Sequence, residues 1–254
     1  MSRRDDAAVP NVAAGTADLA QRFDVVTTAC DVGGRAFAIT HPRSAEALID
    51  EAAFARDERL PYWADVWPSA RVLARHLVRH QGDGREAIEL GCGSGLVACA
   101  LAAAGYRVTA TDYDEDALAF TRLNVAANVG APIATRRLDW RALPESLPAY
   151  DVVVAADVLY ERPFAEPVAR AVARLVRPSG YALVADPGRV AFEPFLTRMR
   201  TLGFTVREGW DVDHAEAGQR HTIRLRVLAP GSTTAGGVGG HPAGQTPVIS
   251  PSKA

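Results

Sequence analysis

The segment Glu89-Leu90-Gly91-Cys92-Gly93-Ser94-Gly95 decides the fold. An apolar stretch, Ala87-Ile88-Glu89-Leu90, runs into alternating glycines and then into a helix-forming run, Leu96 to Ala104. Glycine is required where a backbone turns sharply and where a ligand lies against the main chain with no Cβ in the way. A second strand pattern, Arg107 to Thr111, then delivers Asp112, 17 residues beyond Gly95. A carboxylate at that point can accept both hydroxyls of a ribose. Strand, glycine turn, helix, strand and acid together describe a site for an adenosine-bearing ligand.

Two ligands compete for that description. A dinucleotide fingerprint reads G-x-G-x-x-G, with the pyrophosphate seated on the helix N-terminus. Here the spacing is G-x-G-x-G, formed by Gly91, Gly93 and Gly95, and Glu89 stands two residues before the first glycine. That acid would repel a pyrophosphate but can help hold the cationic methionine end of S-adenosylmethionine. The spacing therefore favours S-adenosylmethionine, with S-adenosylhomocysteine as product, and sets a dehydrogenase aside.

A chain of 254 residues is long enough for one large α/β domain with extensions. Lys and Arg number 28 against 30 Asp and Glu, a formal net charge of −2. No global positive field marks nucleic acid or an anionic membrane as partner. Cys30, Cys92 and Cys99 have no metal-ligand spacing and read as reduced cytosolic thiols. No apolar run approaches a membrane span, and Met1 to Asp6 lacks the hydrophobic region of a secretory signal. The expectation is a soluble, cytoplasmic monomer.

Composition and periodicity divide the chain into four parts. Residues 1–18 lack periodicity and are expected to be disordered, as is the Gly, Ser, Thr and Pro-rich tail 230–254. Residues 19–60 read as an extension: a β-hairpin whose arms, 23–29 and 35–39, flank Gly33-Gly34, then a short acidic helix from Pro42 to Phe54. The main domain, 61–229, alternates strand and helix patterns: strands 86–90, 107–111, 133–138, 151–155, 180–185, 204–209 and 221–228, and helices 94–104, 114–128, 162–177 and 192–202. Such alternation predicts a mainly parallel sheet covered on both faces, with the last two strands pairing as an antiparallel hairpin at one edge.

In an open α/β sheet the ligand lies beyond the carboxyl ends of the strands. Four strand ends therefore define the predicted site: the glycine loop, Asp112-Tyr113, Asp139-Trp140 and Asp157 to Tyr160. Asp139 can accept from an adenine amino group, and Trp140 or Tyr113 can pack on the ring. The structural alternatives are a helix cap for Asp139 and core packing for Trp140. Asp157 and Tyr160 are the catalytic candidates. Methyl transfer needs a lone pair held in line with the S–CH₃ bond, which a carboxylate can orient while an aromatic face stabilises the cation. The structural alternative is that Asp157 caps the helix beginning near Pro163 and Tyr160 is rim packing. Upstream, Leu60-Pro61-Tyr62-Trp63-Ala64-Asp65-Val66-Trp67-Pro68 gathers three aromatics, an anchor for the extension, a wall over the cofactor, or both, with Trp67 the cofactor neighbour. His76 and His80 stand at i, i+4 with no third ligand spaced to join them, so they read as surface histidines and no metal site is expected.

These motifs resemble a known family. Pro61-Tyr62-Trp63-Ala64 with Trp67-Pro68, the loop Glu89 to Gly95, Asp112, and above all Ala156-Asp157-Val158-Leu159-Tyr160 look like the seven-β-strand protein-lysine methyltransferases marked by a D-x-x-Y motif. Asp157 to Pro163, taken with Asp186-Pro187-Gly188-Arg189, looks most like bacterial relatives of the electron transfer flavoprotein β-subunit enzyme. The resemblance covers roughly residues 58 to 228. It implies a Rossmann-like sheet of seven strands, the last antiparallel. It also implies transfer from S-adenosylmethionine to a nitrogen, with Asp157 and Tyr160 at the target amine and Trp67 and Ala156 beside the cofactor. The acceptor stays open between a protein lysine, an arginine and a small-molecule amine or related nucleophile. A non-catalytic S-adenosylmethionine-binding scaffold is the alternative of another class, and the presence of both Asp157 and Tyr160 argues against it.

Overall fold

The computed structural model describes residues 11–49, 60–216 and 218–231. Its centre is a seven-stranded sheet built on β3 (Glu86–Leu90), β4 (Arg107–Asp112), β5 (Ala134–Arg137), β6 (Tyr150–Ala156), β7 (Val176–Asp186), β8 (Phe204–Glu216) and β9 (Gln219–Pro230). The order is β5-β4-β3-β6-β7-β9-β8. β3 pairs parallel to β4 and β6, as β4 does to β5 and β6 to β7, whereas β9 runs antiparallel to both β7 and β8. The chain first winds outward from β3 through β4 to β5 and then restarts on the other side with β6. The strand order therefore reverses between β3 and β6, and a crevice opens there at the carboxyl ends.

β6 shows why this sheet is covered on both faces. Val152 and Val154 point into one core, with α2 (Pro68–Leu77) and α3 (Leu96–Ala103). Val153 and Ala155 point into the other, with α5 (Ala165–Leu175) and α6 (Phe192–Thr201). A continuous apolar strand buried on both sides is what a parallel sheet requires. Between them, α4 (Glu115–Val129) starts at Asp114, whose side chain accepts from the Asp116 amide, with Glu115 and Asp116 in the first turn. Acids there suit the positive end of the helix dipole.

The hairpin of the extension forms as its glycines predict. β1 (Val25–Val32) pairs antiparallel with β2 (Arg35–Pro42) across Gly33 and Gly34, both at positive φ, the two-residue turn that matches strand twist. Its free edge is closed by two asparagines one turn apart on α4. Asn128 accepts from the Ala38 amide (2.8 Å) and donates to the Ala38 carbonyl (2.9 Å). Asn124 does the same at Thr40 (2.9 and 2.7 Å) and donates to the Ser94 carbonyl at 2.8 Å. These side chains replace a neighbouring strand.

Four expectations are corrected. Residues 12–18 are not disordered: they belong to α1 (Val12–Arg22), capped by Asn11, which accepts from the Ala14 amide. Leu19 is buried against Phe120 and Leu123 of α4, with Val12 packed on the same cluster; residues 1–10 of the expected disordered start lie outside the described residues. The helix expected over 42–54 is, in its described part, one 3₁₀ turn at Glu46–Leu48. The helix expected to Arg177 stops at Leu175, and β7 begins at Val176, because Val176 pairs with Tyr150. β8 reaches Glu216 and β9 reaches Pro230, past the expected strand ends at 209 and 228, because the two strands pair along their whole length. The tail beyond residue 231 lies outside the described residues.

His76 is no surface residue either. Its ring lies 4.3 Å from that of His80 and 4.9 Å from that of Trp210, centroid to centroid. Burial first, then the charges of His80 and Arg79, lowers its pKa from 6.5 to about 3. The folded protein therefore keeps His76 neutral while the unfolded chain takes up a proton below pH 6.5. Stability is unaffected by this group above that pH and falls as pH drops toward 3. By pH 5.5 the loss is on the order of 1 kcal/mol, or roughly 2–4 °C in melting temperature for a domain of this size. In His76→Gln the difference between melting temperatures at pH 8 and pH 5.5 is expected to shrink by that amount; an unchanged difference would place the acid sensitivity elsewhere.

Candidate active site

The glycine loop leaves β3 with Gly91, Gly93 and Gly95 all at positive φ. Space demands glycine as well as conformation. A Cβ on Gly91 would lie 2.9 Å from Val158 Cγ1 and 3.3 Å from the Trp140 ring, and one on Gly95 would lie 2.8 Å from Thr121 Cα. The loop is fastened to β4, since the Gly91 and Cys92 amides both donate to the Thr111 carbonyl at 2.9 Å. Beyond it opens a cavity of about 310 Å³ at the β3/β6 crevice. All twelve residues singled out from the sequence line it: Glu89 and the three glycines on one side, Asp112, Tyr113, Asp139 and Trp140 on the next, and Trp67, Ala156, Asp157 and Tyr160 opposite.

The acids of this cavity differ in their surroundings. Asp112 is buried, with Oδ2 accepting from the Gly93 amide (2.9 Å) and Oδ1 from the Asp114 amide (3.1 Å). Burial raises its pKa to about 6, against the opposing pull of those amides. Glu89 is buried too, and its Oε2 has no hydrogen-bond partner. Burial, and then the charge of Asp112, pushes Glu89 well above the usual carboxylate range. Asp139 is engaged otherwise: it accepts from the Arg141 amide and pairs with the Arg141 guanidinium, both at 2.9 Å. This is a local turn closed by an ion pair, not a helix cap.

Asp157 has backbone φ 58, uncommon for a residue with a side chain, and is buried. Its Oδ1 accepts from Arg189 Nε at 2.7 Å and its Oδ2 from Ser69 Oγ at 3.0 Å. It does not cap the helix after it, for the 3₁₀ turn Arg162–Phe164 has Glu161 at its N-cap and no side-chain capping bond. The aromatic residues form an arc along this wall. Trp67 meets Tyr62, Tyr62 meets Tyr160 at 4.8 Å between ring centroids, Tyr160 meets Phe164 at 5.0 Å, and Phe164 meets Trp140. The indole N–H of Trp67 donates to the Tyr62 carbonyl, whereas that of Trp140 is buried without a partner. Ser69 and Phe164 escaped the sequence reading. A buried serine just inside a helix start, directly after Trp67-Pro68, is the one signal that pointed to the first.

A model of a family described as lysine methyltransferase matches residues 56–201, more than half of the chain. The electron transfer flavoprotein beta subunit lysine methyltransferase of Danio rerio is 31% identical over 137 residues, 52% of this chain and 52% of that protein. The protein-lysine methyltransferase METTL21E of Mus musculus is 36% identical over 118 residues, 41% of this chain and 48% of that protein. The chain thus spans about half the length of these relatives. Among solved structures, a TehB-like SAM-dependent methyltransferase from Corynebacterium glutamicum superposes with a TM-score of 0.51 at 17% identity. That alignment covers 71% of this chain and 94% of that one, and it establishes the shared fold.

The crowding at Gly95 generates a stability prediction. Gly95→Ala adds a backbone clash to the conformational cost of positive φ, together about 2–4 kcal/mol, and is expected to lower the melting temperature by roughly 5–15 °C. Gly130→Ala is the control, since Gly130 also has positive φ but nothing within 4 Å of its Cβ position. Equal losses in the two variants would mean that crowding at Gly95 contributes nothing.

Proposed function

Because this chain belongs to the lysine methyltransferase family, we propose that it transfers the methyl group of S-adenosylmethionine to the side-chain nitrogen of a lysine in a protein substrate. The observation that carries the reading is a shared cavity: the glycine cradle with Asp112 and the Asp157–Tyr160 wall open into the same space. The cavity also suits the cofactor chemically. A glycine loop on the cavity wall, a carboxylate at the end of β4, and two buried polar atoms without partners, Glu89 Oε2 and Trp140 Nε1, suit a ligand rich in polar groups.

When bound, the cofactor supplies an electrophilic methyl group on a sulfonium. In this reading Gly91, Gly93 and Gly95 admit its methionine end, and Asp112 takes the ribose hydroxyls. Trp67, Glu89, Tyr113, Asp139, Trp140 and Ala156 enclose the rest. Lysine arrives mainly as an ammonium ion and must lose a proton before its lone pair can attack. Asp157 holds the nitrogen by a charge-assisted hydrogen bond, and water leading to the cavity mouth takes the proton. Tyr62, Tyr160 and Phe164 exclude water around the attacking nitrogen and face the cationic product with π surfaces. Alignment alone can supply several kcal/mol of the barrier reduction.

A free small-molecule acceptor is the second reading. Kinship with protein-lysine methyltransferases favours the lysine acceptor over it. Three buried free thiols fit the cytoplasm, and no helix among the described residues is long and apolar enough to cross a membrane.

Two measurements follow. By calorimetry, Asp112→Ala is expected to weaken S-adenosylhomocysteine binding more than ~10-fold, a loss of about 1.5–3 kcal/mol; unchanged affinity would remove the ribose assignment. Radiolabelled S-adenosylmethionine, incubated with the protein and either proteome or metabolite extract, is expected to label the protein fraction. Asp157→Ala should cut that turnover at least ~100-fold, about 2.7 kcal/mol, while cofactor affinity changes far less. Label confined to metabolites would select the small-molecule reading, and no label in either fraction would leave a binding scaffold.

A further inference from the structure

Asp157 is one link in a longer network, of which Ser69, Asp186 and Arg189 lie outside the cavity lining. Its side chain is only 2% exposed, and both of its oxygens are engaged, by Arg189 and by Ser69. Arg189 is itself held from behind. Asp186 is buried at the end of β7, and its Oδ1 accepts from the amides of both Gly188 (2.7 Å) and Arg189 (2.6 Å). That turn folds Pro187-Gly188-Arg189 back so that the guanidinium lies 5.3 Å over the Trp67 ring while its Nε–H reaches Asp157. Trp67 is fixed in turn by its bond to the Tyr62 carbonyl. The end of β7, the start of α2 and the aromatic segment thus converge on one carboxylate.

We propose that Arg189 is the positioning residue of Asp157: its guanidinium, presented by a turn that Asp186 holds through backbone amides and lying over Trp67, fixes the direction of the carboxylate that meets the acceptor nitrogen. The inference rests on the reading of the site given above. A carboxylate buried this deeply that loses its cationic partner is free to turn toward another donor or toward water, and that change would spoil the alignment on which methyl transfer depends. The geometry also requires arginine. One edge of a plane must donate to Asp157 while its face covers an indole, and the point charge of lysine can do only the first.

An acceptor-independent probe tests this. Sinefungin carries an amine where S-adenosylmethionine carries its transferable methyl, so it sets an ammonium against the acceptor side of the cavity. S-adenosylhomocysteine has nothing there. The readout is the preference for sinefungin over S-adenosylhomocysteine, by calorimetry, in the full chain and in Asp157→Asn, Arg189→Met and Arg189→Lys. Arg189→Met is expected to lower that preference ~10-fold, to the level of Asp157→Asn, with S-adenosylhomocysteine affinity changed less than ~2-fold, and Arg189→Lys to recover part of it. Arg189 is about one-third exposed, and the melting temperature of each variant, read beside its S-adenosylhomocysteine affinity, checks that the fold is kept. A preference lost in Asp157→Asn but kept in Arg189→Met overturns the inference, and a rise in Arg189→Met does so too, since Arg189 would then compete with the amine. Parallel loss of both ligands would reduce Arg189 to a structural role. If Asp157→Asn itself keeps the preference, it is the assignment of Asp157 in the proposed function that fails, and the inference falls with it.

Discussion

The site depends on how little room separates the ends of β3 and β6. These two strands are neighbours in a parallel sheet, so their carboxyl ends emerge side by side and the loops that follow must pass within contact distance. Gly91 after one and Val158 after the other meet so closely that a single added carbon would stand 2.9 Å from the valine. Asp157, next to that valine, takes a left-handed backbone conformation, φ 58, with its carboxylate buried. The glycine loop and the Asp157–Tyr160 wall thus meet along one close approach.

That geometry concentrates acids at one dry edge of the sheet. Asp112, Asp157 and Asp186 stand at or just after strand ends, and Glu89 sits one residue before the end of β3. Each is handled differently. Asp112 is held by backbone amides, Asp157 by a cation and a hydroxyl, and Asp186 by the amides of its own turn, with burial raising its pKa to about 6. Glu89 keeps one oxygen without a partner, so its ionisation is opposed both by burial and by Asp112. Glu89 Oε2 and Asp186 Oδ2 are both buried without a hydrogen-bond partner, and of the two acids only Glu89 lines the cavity, where a ligand can supply what the protein does not.

Much of this was legible because it is local. Strand, glycine, helix and acid follow each other within about two dozen residues, and the alternation of Val152 to Ala155 between two cores is what an unbroken apolar run implies. The resemblance carried by Ala156 to Tyr160 narrowed the chemistry further. What escaped was long-range or energetically slight. Ser69 reaches Asp157 across 88 positions and Arg189 across 32, and no periodicity encodes an ion pair at such distances. α1 depends on one cap and one buried leucine, too little to stand out in an alanine-rich stretch. His76 was misread because a helix pattern reports its own faces and not the arrival of Trp210 from a distant strand.

Asn124 gives the extension a meaning that its place in the chain does not suggest. One amide group grips β2 at Thr40 and the glycine loop at Ser94 together. The hairpin is therefore mechanically coupled to the cradle, as a tensioned stay is to a mast. A shorter version starting at the aromatic segment would lack Thr40 and leave that amide bonded to the glycine loop alone. A change in the hairpin therefore reaches the glycine loop through one side chain, with no change to any residue that lines the cavity.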